Sequence, residues 1–370
     1  MLGSILVFFI VLSVLVLVHE FGHYIAARRA GVWVEEFGFG LPPKLFGIKI
    51  GETVFSLNLF PFGGFCRLHG ESAEDEIVHP RKAFFNRNKR TRISIIVAGV
   101  VMNILLAICA FAVVYSFLGI PRTTKDVKVV DVATGSPAQV GGLLVGDIVK
   151  SVDKQTVTTN DQFIKHIEAK KGKRTVLEIS RTQDDKTISK KLTLTPRETP
   201  PANEGPLGVT ITTTEIWYPP VWQRPFIGIY YGVKDALFWG KTVVLGFYDM
   251  FANLFKGVAP KGVAGPVGIF AITSQVAKDG ILSIINLIGI LSINLAILNI
   301  IPFPALDGGR LLFIGIEAVI GKKIITKVER TINSIGMIIL LTLLFLVSIK
   351  DVINLIHAGS ISKFVESIVK

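Results

Sequence analysis

The chain has 370 residues, 50% of them hydrophobic, with a mean hydropathy of +0.55 and a formal net charge of +12. The apolar residues gather into long runs, which excludes one large soluble core and points to several membrane crossings. The basic excess stands beside those runs, so it reads as a topology signal and not as a nucleic-acid surface.

The first apolar run, about Met1–Ala27, holds no charged side chain through Val18 and then carries His19-Glu20-Phe21-Gly22-His23. On a helix, histidines at i and i+4 share one face and can hold one Zn²⁺. Glu20 lies beside them, where it can serve as general base toward a water that the ion activates. Such polar groups in a span are costly and signal function. The run lacks a basic leader and a small-residue cleavage site, and cleavage would discard the motif, so a signal peptide is not expected.

A second span is predicted at about Ile93–Leu118, with Asn103 and Ser116 inside it. A third runs from about Ile281 to Ile301 with Asn286, Asn294 and Asn299, and a fourth from about Ile332 to Ile349. Each reaches the roughly 17–25 residues that a crossing helix needs. Cys66 falls in a loop and Cys109 in a span, so neither a disulfide nor a metal ligand is expected there. Eleven Arg and Lys between spans one and two, and Arg310, Lys322, Lys323, Lys327 and Arg330 between spans three and four, make both loops cytoplasmic. The N-terminus, 119–280 and the C-terminus then face outside.

Between spans two and three, 122–212 reads as one small soluble domain. Its β-like runs are Val127–Val132, Ile148–Val152, Thr175–Ile179 and Lys191–Leu194, with a helix over Thr159–Ala169. Ser136-Pro137-Ala138, Gly142-Leu143 and Gly146-Asp147-Ile148-Val149 resemble a PDZ domain of bacterial membrane proteases. Gly205-Pro206-Leu207-Gly208-Val209 resembles the carboxylate-binding loop of such domains in a permuted strand order. The segment Trp217–Phe255 follows. Lys234, Asp235, Lys241 and Asp249 within it fall in an arc of about 120°, which suits an amphipathic helix lying at an interface. The chain therefore divides into a membrane core at 1–121, the PDZ-like domain at 122–212, an interfacial segment at 213–280 and a second membrane core at 281–370.

The inner end of span three carries Asn299-Ile300-Ile301-Pro302-Phe303-Pro304-Ala305-Leu306-Asp307-Gly308-Gly309. A catalytic zinc site has three protein ligands and one open position, and Asp307 is the candidate third ligand after His19 and His23. Pro302 and Pro304 stop the helix, and Gly308 and Gly309 permit tight backbone, so a carboxylate can be presented from irregular chain. With one span between them, spans one and three bring both motifs to one membrane face. A fifth span at 217–255 would separate them.

These motifs, with Phe37-Gly38-Phe39-Gly40, Pro61-Phe62-Gly63-Gly64-Phe65 and Gly265-Pro266-Val267-Gly268-Ile269, closely resemble the site-2 protease family of intramembrane zinc metalloproteases. The nearest pattern is the bacterial regulator-of-sigma-E type. The resemblance implies His19, His23 and Asp307 as zinc ligands and Glu20 as catalytic acid and base. It implies that Asn299 contacts substrate or helps hold the site, and Pro302 and Pro304 beside it are read as substrate-binding. It also implies a re-entrant β-hairpin around Thr53–Leu59, where an edge strand bearing Phe55 and Leu57 would take up an unwound substrate by strand addition. Two departures stand out: Gly99-Val100 where the family often has Gly-Pro, and one PDZ-like domain where some relatives have two.

The expected fold is thus a polytopic α-helical membrane protein of four spans, with the β-hairpin and an inserted α+β PDZ-like domain. The expected activity is cleavage of single-span membrane proteins in the cell's inner membrane, with the zinc site toward the cytoplasm and the PDZ-like domain outside, reading substrate C-termini or filtering by size. A non-catalytic scaffold is the first competitor, disfavoured by the full ligand set with Glu20. A transporter is the second, and no internal repeat supports it. His69, His79, His166 and His357 read as surface or loop residues, and Glu35, Glu36, Glu71, Glu74, Asp75 and Glu76 as solvated faces. Glu317, ten residues beyond Asp307, is a candidate support behind the ligands, though nothing in the sequence requires it.

Overall fold

The computed structural model describes residues 2–71, 77–183, 186–202, 204–256, 264–321 and 326–369. The predicted faces at Glu74, Asp75 and Glu76, and Lys322 and Lys323, lie outside them. The chain forms two units, Met1–Phe117 with Val221–Lys370, and Leu118–Pro220.

The first unit opens with α1 (Leu2–Arg29), β1 (Val34–Ile50), β2 (Thr53–Leu68) and α2 (Lys89–Leu118). Arg28 and Arg29 occupy the last turn of α1, where cations complement the helix dipole, and Gly31 at φ +70° takes the chain out of it. At Gly22 the helix touches α2 so closely that a Cβ would sit 2.3 Å from the Ala98 carbonyl oxygen.

The strands β1 and β2 are each used twice. Glu36–Phe39 pairs on one side with Gly64–Arg67 and on the other with Val54–Leu57, and Lys44–Ile50 closes on Thr53–Asn58. The expectation of an edge strand at Thr53–Leu59 is corrected: Val54–Leu57 has neighbours on both sides, so its backbone groups are already engaged. The edge against α1 is Gly64–Leu68, where a Cβ on Gly64 would meet Leu17 and Val16.

The second unit contains β3 (Ile120–Val132), α3 (Pro137–Val140), β4 (Ile148–Val152), β5 (Gln155–Thr156), α4 (Asn160–Glu168), β6 (Thr175–Gln183), β7 (Lys186–Leu194) and β8 (Val209–Trp217). The sheet order is β7-β6-β4-β3-β8, with β5 on β4. Alternate apolar residues point inward: Val127 and Val129, Leu177 and Ile179, Leu192 and Leu194 join Phe163 and Ile167 of α4 in one core. Thr159 caps α4 by accepting from Gln162 N at 3.2 Å. The buried Asp147 carboxylate is held by two Arg181 nitrogens, each at 2.7 Å, and by Leu144 N at 2.9 Å. The predicted runs lie within observed strands, and the predicted helix is α4 with its two cap residues. The strand β8 was not among them because its Thr-rich stretch lacks strong apolar alternation, although β-branched threonine favours strands. Leu207, predicted in a ligand-binding loop, is a core residue, and its carbonyl accepts from Ala138 N at 3.1 Å.

The first unit resumes with α5 (Arg224–Phe255), α6 (Pro266–Val276), α7 (Ile281–Ile300), α8 (Asp307–Ile320), α9 (Thr326–Ala358) and α10 (Ile361–Val369). Within Trp217–Phe255, expected to lie at an interface, α5 packs along α2 and α7. Ser116 Oγ donates to Arg224 O at 3.1 Å, Cβ atoms on Gly228 and Gly232 would each meet an α2 carbonyl at 2.6 Å, and Ala236 joins Ala107, Phe111 and Ile293. The overlooked signal is the Gly-x-x-x-Gly spacing. Two charges on this stretch have partners: Tyr115 OH donates to Asp235 at 2.7 Å, and the Lys234 ammonium lies 4.6 Å from the Tyr230 ring centre. Asp351 of α9 accepts from Gly265 N and Gly268 N, each at 2.8 Å, capping α6.

Among the described residues, four helices are long and apolar enough to cross a membrane: Gly3–Arg29, Lys89–Leu118, Ile281–Ile300 and Val328–Ala358. These match the four predicted spans. Only 6% of the apolar window of the last is buried, so its surface calls for an apolar surrounding.

Candidate active site

His19 and His23 lie one turn apart on α1 and face Gly99 of α2. A Cβ there would sit 2.5 Å from His23 Nε2 and 2.7 Å from His19 Cε1, so a glycine leaves the rings their room. The α7 helix ends at Ile300, and Pro302 and Pro304 keep the chain irregular until Asp307 starts α8. An anionic residue is favoured in that first turn by the helix dipole. Ala305 adopts φ +75°, a conformation costly for a residue with a Cβ, and its N–H is held by Asn333 Oδ1 at 3.2 Å. Pro304 rests on Gly336 of α9, where a Cβ would come within 2.4 Å of it.

These pieces converge. Asp307 Oδ2 lies 3.0 Å from His19 Nε2 and 3.2 Å from His23 Nε2, and the two Nε2 atoms are 3.1 Å apart. The Nδ1 atom of His23 faces the Ile95 carbonyl at 2.8 Å, so it carries the proton and leaves a lone pair on Nε2. The Nδ1 atom of His19 meets the Asn103 amide at 3.2 Å, while the buried Asn103 Oδ1 has no partner. With the amide turned about its Cβ–Cγ axis, that oxygen accepts from His19 Nδ1–H. Both rings then aim lone pairs at one point shared with a carboxylate. Three electron-rich atoms this close require positive charge among them, and the group is one that could hold a metal ion.

Glu20, one residue beyond His19 and partly buried, lines a cavity of about 450 Å³ together with His23, Asp307, Phe65, Cys66 and Arg67. Burial pushes the Cys66 thiol pKa up, so it stays neutral in that wall. Asn299 Nδ2 lies 3.3 Å from His19 Nε2. The structure thus brings together His19, Glu20, His23, Asn299 and Asp307. Neither Pro302 nor Pro304 lines the cavity: Pro304 packs on Gly336, and Pro302 is exposed. Phe55 and Leu57 do not line the cavity: the Phe55 ring packs 5.8 Å from Tyr24, and Leu57 is exposed.

Several residues that sequence reasoning set aside belong to the site's supports. Asn103 was visible as a lone amide in an apolar run, a signal that could have placed it. Glu317 is 1% exposed and accepts from Arg92 Nη1 at 2.8 Å, tying α8 to α2. His69 is buried, with Nδ1 2.7 Å from Glu35 Oε1, which corrects both the surface reading of His69 and the solvated reading of Glu35. Glu71 is likewise engaged, by Leu68 N and Arg310.

The family model described as Peptidase family M50 matches residues 7–343. A Clostridium perfringens protein named as a putative zinc metalloprotease is 34% identical over 344 residues, covering 92% of this chain and 96% of its own length. A Clostridium acetobutylicum protein of the same description is 32% identical, covering 95% and 97%. Zinc metalloprotease RasP of Oceanobacillus iheyensis is 27% identical, covering 94% and 98%. With a site of this donor set and matches of this extent, the chain belongs to peptidase family M50.

Proposed function

We propose that this M50 peptidase is an intramembrane zinc endopeptidase of the regulator-of-sigma-E type, cutting membrane-embedded segments of single-span proteins. The observation that carries this reading is the meeting of His19, His23 and Asp307, from segments up to 288 residues apart, beside Glu20. Two imidazole nitrogens and one carboxylate oxygen with an open position suit catalytic Zn²⁺, the ion in the relatives' names. Bound there, Zn²⁺ supplies Lewis acidity toward water and a peptide carbonyl.

The chain's own residues do the rest. Asn103 and the Ile95 carbonyl fix the two rings. The Glu20 carboxylate accepts a proton from water and returns it to the departing amide nitrogen. Asn299 donates its amide to the substrate carbonyl. A substrate helix keeps its peptide groups bonded internally, so it must unwind, and the Gly64–Leu68 edge offers backbone groups to receive it. The β-hairpin would enter the membrane from the cytoplasmic face, with the zinc site on that side of the inner membrane.

The sheet domain reads as PDZ-like, with β8 at a free edge of its sheet. It would stand outside the membrane and select substrates, by their newly made C-termini or by excluding bulky outer domains. Purified Glu20→Gln should keep its zinc and trap intact substrate without cutting it. Cleavage near the wild-type rate would remove Glu20 from the mechanism.

A further inference from the structure

The Glu71 carboxylate has partners on two different elements. One oxygen accepts from Leu68 N at 3.1 Å, the last residue of β2, and the other accepts from Arg310 Nη1 on α8. Its backbone turn is held as well: Glu71 N donates to Leu68 O at 3.2 Å, and Phe84 N to His69 O at 2.8 Å. Arg310 stands one turn after Asp307 on the same helix. Glu71 and Arg310 also line both the 450 Å³ cavity that holds Glu20 and a neighbouring cavity of about 500 Å³ lined by Arg92, Glu329 and Asn333.

We propose that Glu71 and Arg310 form a clasp that positions the docking edge of β2 against Asp307, and so sets which peptide bond is cut. This rests on the reading of the site given above. Two physical points support it. By occupying the Leu68 N–H, Glu71 ends the set of outward backbone groups that a substrate strand could use, leaving those between Phe65 and Arg67 that face away from β1. By holding Arg310, it ties that edge to the helix bearing a metal ligand, so edge and metal move together. The Arg310 side chain is 40% exposed and that of Glu71 15%, so solvent screens the pair in part. What the pair fixes is geometry, and misplacing a substrate by about 1 Å can cost about 100-fold in rate.

The test uses full-length protein in detergent, a single-span substrate that wild type cuts at one bond, and mass spectrometry of the products. Glu71→Ala should keep zinc and a near-normal melting temperature, lose about 10- to 100-fold in kcat/KM, and cut neighbouring bonds. Glu71→Gln, which retains an acceptor for Leu68 N, should lose less and keep a narrower product set. A zinc-loaded Glu71→Ala that cuts only the wild-type bond with wild-type kcat/KM overturns the proposal. If Glu71→Ala fails to fold or to hold zinc, wild-type cutting by both Glu71→Gln and Arg310→Ala overturns it too. A Glu20→Gln control that still cuts would instead bring down the underlying reading of the site.

Discussion

The two units treat polar groups in opposite ways. In the sheet domain the core is a continuous set of Val, Ile, Leu and Phe, and its buried ion pair, Asp147 with Arg181, ties a turn to a strand. In the helical unit large apolar side chains such as Leu343, Phe345 and Ile356 are exposed, while His19, Arg92, Asn103, Glu317 and Asp351 are enclosed. The first pattern suits a body surrounded by water, the second a body surrounded by hydrocarbon. Enclosed polar groups in the helical unit are expensive, and most of them converge on or brace the candidate metal site. Chemistry and substrate selection should therefore be separable by mutation.

The sharpest break of that comparison comes at Gly99. A Cβ there meets both histidine rings, so Gly99→Ala should abolish cleavage and lower zinc content while the protein remains folded. Activity assay with metal analysis checks both. Next in size is Glu317→Ala, which strands the buried Arg92 charge and should cost about 3–5 kcal/mol of stability. Thermal unfolding in detergent reads that loss, which should exceed the loss in the conservative Glu317→Gln. In the sheet domain, Leu207→Asp puts a charge into the core and should unfold that unit locally, by about 3 kcal/mol or more. Limited proteolysis should show the domain opened, yet cleavage of a minimal substrate should stay near normal. Abolished cleavage there would mean that the two units are not separable. The smallest effect is expected at Gly232→Ala, where an added methyl presses on the Ile108 carbonyl. It should loosen α5 from α2 with a modest fall in melting temperature.

Much of this was legible in the sequence, and for identifiable reasons. Four apolar runs of spanning length, the i, i+4 histidines and the Pro-x-Pro break before Asp307 are local patterns, and each survives in the structure. What failed depended on long-range pairing. Nothing local distinguishes Thr53–Leu59 as an inner strand from an edge, because β1 doubles back to pair with it twice. Glu71 looked like any surface acid until Arg310, 239 residues later, came to face it. The amphipathic arc of α5 was real, but the Gly228 and Gly232 spacing that docks it was outweighed by its charges, whose partners Tyr115 and Tyr230 no periodicity reveals.

The central claim is that His19, His23 and Asp307 together hold the metal on which the peptidase depends. The most direct measurement is the zinc content of purified Asp307→Ala beside wild type, at equal folded protein. The account predicts about one equivalent in wild type and little in the variant, because two imidazoles alone leave the site a ligand short. A full equivalent of zinc retained by Asp307→Ala would contradict it.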